Sequence, residues 1–221
     1  MKKAGRKPIS TTSDTESYTQ LHRAIVSGEL LPNERLIELD LVEKFGVGRA
    51  AVRTALARLE QEGLVEREPN RGARVRAVSK AEAVEMYEAR AVLEGLAARY
   101  AALNAKKDDI AKLRAIHNEM KKRYAKGDLL GISDLNADLH AELLRMANHQ
   151  VVSQLIVRLR AQHVRYQYRS ILVSGRAQQS LAEHKAIVDA VAAHDGDIAE
   201  AAMRRHLTSV VAALRQQSRV G

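Results

Sequence analysis

The chain has no cysteine, no tryptophan, one phenylalanine and three prolines, none of them after Pro69. Each scarcity excludes something. Without thiols there is no disulfide framework, no thiolate nucleophile and no Cys-ligated zinc, which fits a reducing compartment. With only six tyrosines beside that one Phe, the cores must be built from Ala, Leu, Val and Ile, and Ala and Leu favour helix. No apolar run approaches the roughly 18–20 residues of a membrane span. The N-terminus is basic and polar and lacks the apolar stretch of a signal peptide. A soluble cytoplasmic protein with no membrane partner is expected.

What is present is 221 residues with 46% hydrophobic content, enough for two modest domains. The net charge of +9 suits a polyanionic partner, but its placement matters more. Residues 1–78 hold 14 Lys and Arg against 11 Asp and Glu, and residues 79–221 hold 22 against 16. Between Glu142 and Glu183 there is no acid, yet there are six arginines: Arg145, Arg158, Arg160, Arg165, Arg169 and Arg176. A solvated basic face is the plain reading of that stretch. An anion pocket or a dimer surface are the sharper ones.

From Lys80 onward the apolar period is helical almost throughout. Helices are expected near 80–104, 107–127, 133–147, 150–172, 176–194 and 196–216, broken at Gly127, Gly131, Gly175 and Gly196. Six such helices make an antiparallel bundle, with Ser79 placed to cap the first. Ahead of them, residues 18–27 read as a helix and 35–37 as a short strand. Two short amphipathic segments follow, Glu38–Phe45 and Arg49–Gln61, joined at Gly46-Val47. The first carries Leu39, Val42 and Phe45 on one face, and the second carries Val52, Leu56 and Leu59. Two short helices around a tight Gly-containing turn form a helix-turn-helix, whose second helix can lie in a DNA major groove. Gly63 ends that helix. Residues 64–65 and 73–78 read as strands around a turn at 69–72, a wing with Arg71 and Arg74 at its tip. The expected fold class is therefore mainly α. A disordered basic arm (1–14) leads into a winged helix-turn-helix (15–78) and then an antiparallel all-helical bundle (79–221). The arm is a solubilising tail, or a minor-groove contact through residues 5–8.

The residues Leu36-x-Glu38-x-x-Leu41-Val42-x-x-Phe45-Gly46-Val47, then Arg49-x-x-Val52-Arg53-x-Ala55-Leu56-x-x-Leu59-x-x-x-Gly63-Leu64-Val65, then Arg71-Gly72-x-x-Val75 resemble the winged helix of GntR-family bacterial transcription regulators. The helical remainder resembles the FCD effector domain of the FadR subfamily. Some positions depart from the family pattern. Gly48 stands where Ser is usual, Ala50-Ala51 where Thr-Pro is usual, and Pro32-Asn33 where Pro-Gly is usual. These departures bear on phosphate contacts and operator sequence rather than on the fold.

Arg49 begins the recognition helix and Arg53 follows one turn on. Each guanidinium fork matches guanine O6 and N7, a pair contributing roughly 1–3 kcal/mol of discrimination. No acid lies between Glu43 and Glu60, so the two arginines are expected to have no local partner. Arg35, Arg71 and Arg74 are placed for phosphates, and Gly72 for close approach of the wing to the minor groove. A single module makes few contacts, so a homodimer on a pseudo-palindromic operator in double-stranded DNA is expected; the resemblance implies the same.

His140, His184 and His206 fall on three predicted helices, and Asn136 shares a face with His140. The resemblance implies that these four hold a divalent transition metal, zinc first, with nickel or iron as alternatives. The other five histidines, among them His117 and His163, are given ordinary structural roles. The resemblance further implies a small organic-acid effector, its carboxylate on the metal and on an Arg fork. Arg90 is the first candidate, with an ion pair to Glu94 as its other reading; Arg165 and Arg169 follow. The expected function is a sequence-specific DNA-binding regulator, a repressor whose operator binding the acid alters. The alternatives are a metal-dependent enzyme using the three histidines, or an architectural DNA-binding protein with an inert bundle. No nucleophile motif, paired acid and base or phosphate loop accompanies those histidines, so no catalytic residue is assigned.

Overall fold

The computed structural model describes the backbone of residues 14–68 and 72–216, and their side chains except those of residues 14, 68 and 160–169. The chain divides between Val78 and Ser79 into two compact units.

The first unit runs α1 (Asp14–Ser27), β1 (Arg35–Leu36), α2 (Glu38–Phe45), α3 (Arg49–Gln61), β2 (Val65–Glu68) and β3 (Gly72–Val75). Its sheet has the order β1-β3-β2 with both pairings antiparallel, Arg35 opposite Arg74 and Glu66 opposite Arg74 on the other side. Leu21, Ile25, Leu41, Val47, Val52, Leu56, Leu59, Val65 and Val75 are buried. The α2–α3 turn depends on Gly46, which adopts φ 66° while its N–H donates to the Val42 carbonyl, a left-handed conformation costly for other residues.

Two expectations fail here. Helix α1 begins at Asp14, so residues 14–17 belong to a helix and Ser17 is fully buried. Its first turn is polar and gave no apolar period to read. Tyr18 anchors this end: its hydroxyl donates to Glu62 over 2.7 Å, and the Arg58 guanidinium lies 3.7 Å from its ring centre. Burial, with Glu62 beside it, pushes the phenol up to about 12. In α2 it is Leu41 that is buried, while Leu39 is 62% exposed. An eight-residue helix with apolar residues at 39, 41, 42 and 45 does not fix its own phase; packing on α3 does. The remainder of the basic arm, and Pro69, Asn70 and Arg71 of the wing turn, lie outside the described residues.

The second unit runs α4 (Lys80–Asn104), α5 (Lys107–Ala125), α6 (Leu129–Ala147), α7 (Gln150–Ile171), α8 (Arg176–Ala192) and α9 (Gly196–Gln216). Connections of two to four residues force neighbours to run antiparallel. Ser79 caps α4 by accepting the Glu82 N–H over 3.1 Å. Gly131 does not break a helix as expected. Asp128 caps α6 by accepting the Gly131 N–H over 2.9 Å, and a Cβ at Gly131 would collide with that carboxylate. The glycine marks the space a cap needs, and α6 starts four residues before the expected 133. Ala98, Ala101 and Ala102 of α4, Ala199 and Ala202 of α9, and Leu113, Ile132, Leu139, Leu143, Ile187 and Met203 form one buried core. Among the described residues no helix is long and apolar enough to cross a membrane.

Leu139, the residue before His140, is fully buried in α6. Leu139→Ala should destabilise the helical unit by about 2–5 kcal/mol, measured by denaturant unfolding; a change below about 0.5 kcal/mol would mean that this helix does not pack as described.

Candidate functional site

Three helices bring His140 (α6), His184 (α8) and His206 (α9) together. All are buried, with 2%, 0% and 2% exposure, and one ring nitrogen of each lies within 4.8 Å of the others'. Burying an imidazole requires both of its nitrogens to find partners. His140 Nδ1 meets the Glu94 carboxylate in a short contact. His206 Nδ1 donates to Glu183 over 2.8 Å. His184 Nδ1 lies 3.3 Å from the Ser180 hydroxyl. A carboxylate only accepts, so Glu94 and Glu183 place the proton on Nδ1 and leave Nε2 with its lone pair. The Nε2 atoms of His140 and His184 stand 3.4 Å apart. Two nitrogens bound at about 2.0–2.1 Å to one tetrahedral ion would be separated by about 3.4 Å. Histidines with an anchored distal nitrogen are the usual construction of a transition-metal site.

A cavity of about 30 Å³ opens beside the cluster, with Tyr87, Arg90, Ser133, Asn136, Ser170 and Arg176 in its walls. This is room for a water or two. Asn136, half-buried, thus shares the cavity with His140 and His206, while Asp134 and Asp138 are exposed on the same helix. Arg90 also faces the cavity, and its Nε pairs with Glu94 over 2.6 Å. The ion pair that was its other reading is therefore present. The side chains of Arg165 and Arg169 lie outside the described residues.

The sequence reading assigned no place at the histidines to Arg176 or Glu183, and it paired Glu94 with Arg90 but not with His140. Arg176 is 3% exposed; its Nη2 pairs with Glu183 over 2.9 Å, and its Nη1 is buried without a hydrogen-bond partner. The signals were faint. Arg176 was one of six arginines in an acid-free run, and Glu183 is simply the residue before His184. That run is not one feature: Arg145 at its start is paired with Glu142 and Asp109 on the surface, while Arg176 at its end is buried. His117 Nε2 donates to the Leu181 carbonyl over 3.0 Å, and His194 Nδ1 donates to the Ala102 carbonyl over 3.1 Å, ordinary roles as expected. The side chain of His163 lies outside the described residues.

In the first unit, Arg35, Arg49, Arg53 and Gly72 line one groove of about 480 Å³, with Glu38 and Arg67. The expectation that Arg49 and Arg53 lack a partner is wrong. Glu38 accepts from Arg49 Nε over 3.1 Å and from Arg53 Nε over 3.0 Å. The partner lies on α2, ahead of the acid-free stretch between Glu43 and Glu60, and the tight turn brings it over. Arg49 above all holds the Glu38 carboxyl below its usual range, and Arg53 adds to this while burial opposes it. Arg74 lies on β3 between Arg35 and Glu66 in register. Arg71 is outside the described residues.

Comparison with known proteins agrees with this two-part anatomy. Residues 15–75 match the family model described as bacterial regulatory proteins, gntR family, and residues 85–209 match the FCD domain. The HTH-type transcriptional repressor RspR of Escherichia coli is 28% identical over 199 residues, covering 90% of this chain and 87% of that protein. The Uxu operon regulator of Haemophilus influenzae is 30% identical over 217 residues, covering 87% and 76%. The solved structure of E. coli McbR/YncC has the same fold, with a TM-score of 0.79 at 22% identity, covering 94% of this chain and all of that one.

Burial holds His184 well below the usual imidazole value, and the positive neighbours His206, His140 and Arg176 push the same way. Burial lowers His206 too, although Glu183 pulls it partly back. Below about pH 6.5 the unfolded chain takes up protons that these folded imidazoles refuse. The stability they carry is whole above that pH and is lost as pH falls towards their folded values. Chelator-treated protein should melt at a lower temperature at pH 5 than at pH 7.5, and His184→Leu should reduce that difference. An unreduced difference in the variant would show that His184 is not buried neutral.

Proposed function

The chain belongs to the gntR family of bacterial regulatory proteins, with an FCD domain as its second unit, and from that premise we propose that it is a repressor switched by a small organic acid bound beside a divalent metal ion. That it is a DNA-binding transcriptional regulator and not an enzyme follows from the family and from its relatives. The metal, the acid and the repressor role are our reading.

The observation that carries the reading is the set of three buried imidazoles, each with Nδ1 held by Glu94, Ser180 or Glu183. The carboxylates leave the Nε2 lone pairs of His140 and His206 for one ion, and His184 adds a third when Ser180 accepts from its Nδ1. Zinc fits three nitrogens first, and nickel or iron are the alternatives. Asn136 supplies an amide oxygen from the same helical face as His140. When bound, such an ion offers a Lewis-acidic position to a ligand oxygen.

The acid's second anchor is Arg176. A buried guanidinium nitrogen without an acceptor costs on the order of 1–3 kcal/mol, and a carboxylate in the cavity relieves that cost. Arg90 lines the same space, but its Nε is committed to Glu94. The cavity of about 30 Å³ is too tight for an organic acid as it stands, so binding has to move its walls. A ligand that needs one wall position over another has the differential affinity that switching requires. Two copies of the chain present two recognition helices to a pseudo-palindromic operator. Arg49 and Arg53 read bases there, while Arg35, Arg74 and the wing at Arg71-Gly72 contact the backbone. The relative named as a repressor supports the sign of regulation.

Three measurements test this reading. Metal analysis of the purified protein should find about one transition-metal ion per chain, and His184→Ala should lose it; an unchanged content in the variant removes the site. Arg176→Gln should keep the metal and the DNA binding but lose the response of operator binding to a panel of small carboxylates. A full response in that variant would return the anchor to Arg90. Arg49→Ala should abolish preference for one duplex over random DNA while leaving the oligomeric state unchanged, and retained preference would overturn the base-reading assignment.

A further inference from the structure

We propose that Glu38 is a positioning and specificity-determining residue of the DNA-reading surface: its carboxylate holds Arg49 and Arg53 by their Nε atoms so that both guanidinium groups face the duplex end-on. This rests on the reading that Arg49 and Arg53 contact bases, and goes beyond it by assigning the acid that aims them.

The geometry carries the inference. Arg49 and Arg53 stand one turn apart on α3, and both turn back to a single carboxylate at the first position of α2. The contacts are Arg49 Nε to Oε2 at 3.1 Å, and Arg53 Nε to both oxygens at 3.0 Å. All of them use Nε. A guanidinium can form a bidentate pair through Nε with one terminal nitrogen, or through its two terminal nitrogens. With Nε committed, the first mode is closed, and only the terminal pair remains to meet guanine O6 and N7. The two arginine side chains are 59% and 61% exposed while Glu38 is 28% exposed, so the carboxylate sits behind and the forks sit in front.

The consequence for binding is physical. A free arginine side chain holds rotamer entropy, which a base contact must otherwise remove at the moment of docking. Glu38 removes part of that freedom beforehand, for two side chains at once, as preorganised binders do. It also places a negative charge close to the phosphates. Phosphate contacts are insensitive to sequence, so this charge weakens binding to every duplex. A residue that lowers affinity for all DNA and sharpens two base contacts raises the ratio between right and wrong sites.

The test uses the full-length protein. A preferred duplex is selected by the wild type from a random library, and its Kd is compared with that of a scrambled duplex across a salt series. Glu38→Ala should bind scrambled duplex more tightly, with a salt slope steeper by about one phosphate contact, about 0.9. Its preferred-to-scrambled ratio should fall roughly fivefold or more, the low end of one lost bidentate contact. Glu38→Gln keeps an acceptor oxygen without the charge, so it should share the tighter scrambled binding yet keep more of the ratio. Asp40→Asn removes an acid from the same first turn without touching either arginine, and should leave the ratio unchanged. Thermal melts establish that each variant is folded.

If Glu38→Ala tightens binding to both duplexes equally, with the ratio intact, the carboxylate is only a counter-charge and the proposal is overturned. It is equally overturned if Asp40→Asn lowers the ratio as much, because helix α2 rather than the arginines would then be at issue. Failure of the underlying reading looks different: Arg49→Ala and Arg53→Ala would themselves leave the ratio unchanged.

Discussion

A buried imidazole has two nitrogens to satisfy, and the helical unit is built around doing this three times over. The bundle core is otherwise small and apolar, mostly Ala, Leu and Ile. Into it are set His140, His184 and His206, with ring centres 4.4–5.6 Å apart. In such a cluster every charge without a partner and every orphaned polar atom costs stability. Glu94, Ser180 and Glu183 meet the first nitrogen of each ring, and Arg90 and Arg176 balance the two carboxylates. The polar network is therefore continuous from α4 through α6 and α8 to α9. Removing one member leaves the next one buried and unpaired.

The same device recurs in the first unit with a different energetic weight. There Glu38 takes the inner nitrogen of two arginines and leaves their outer nitrogens facing away. Glu94 and Glu183 do this to histidines in the dry interior, where electrostatic contacts are strong. Glu38 does it at the surface, where an ion pair contributes only about 0–1 kcal/mol to stability. At the surface its effect is on direction rather than stability. In both units an acid sets the orientation of a basic group, and the basic group keeps its outward-facing nitrogens for a ligand that the chain does not itself supply.

Arg176 sits between these two cases. It is buried and paired, yet one terminal nitrogen has no acceptor. In the proposed function that atom receives the acid's carboxylate. Its neighbours in the cavity are hydroxyls, an amide and a phenol, with Ile171, Leu207 and Val210 beside them.

Much of this was legible in the amino-acid sequence. The helical period after Lys80, the Gly46 turn, the Ser79 cap and the spacing of Arg49 and Arg53 are local facts, because they depend on residues within about one turn of each other. The family resemblance was legible for the same reason: its motif is contiguous. What the sequence left open were matters of distance and phase. It placed Leu39 rather than Leu41 in the core, began α1 too late and took Gly131 for a break, since each of these is settled by what packs against the segment. It found the three histidines but not the contacts of Glu94 and Glu183 with them or the burial of Arg176, and it declared Arg49 and Arg53 unpartnered. Those carboxylates reach their partners across helices, and Coulomb attraction acts over ångströms of space, not along the chain. The sequence determined which groups exist and which helices carry them; only the tertiary structure decided which nitrogen each acid would occupy, and so which was left to act.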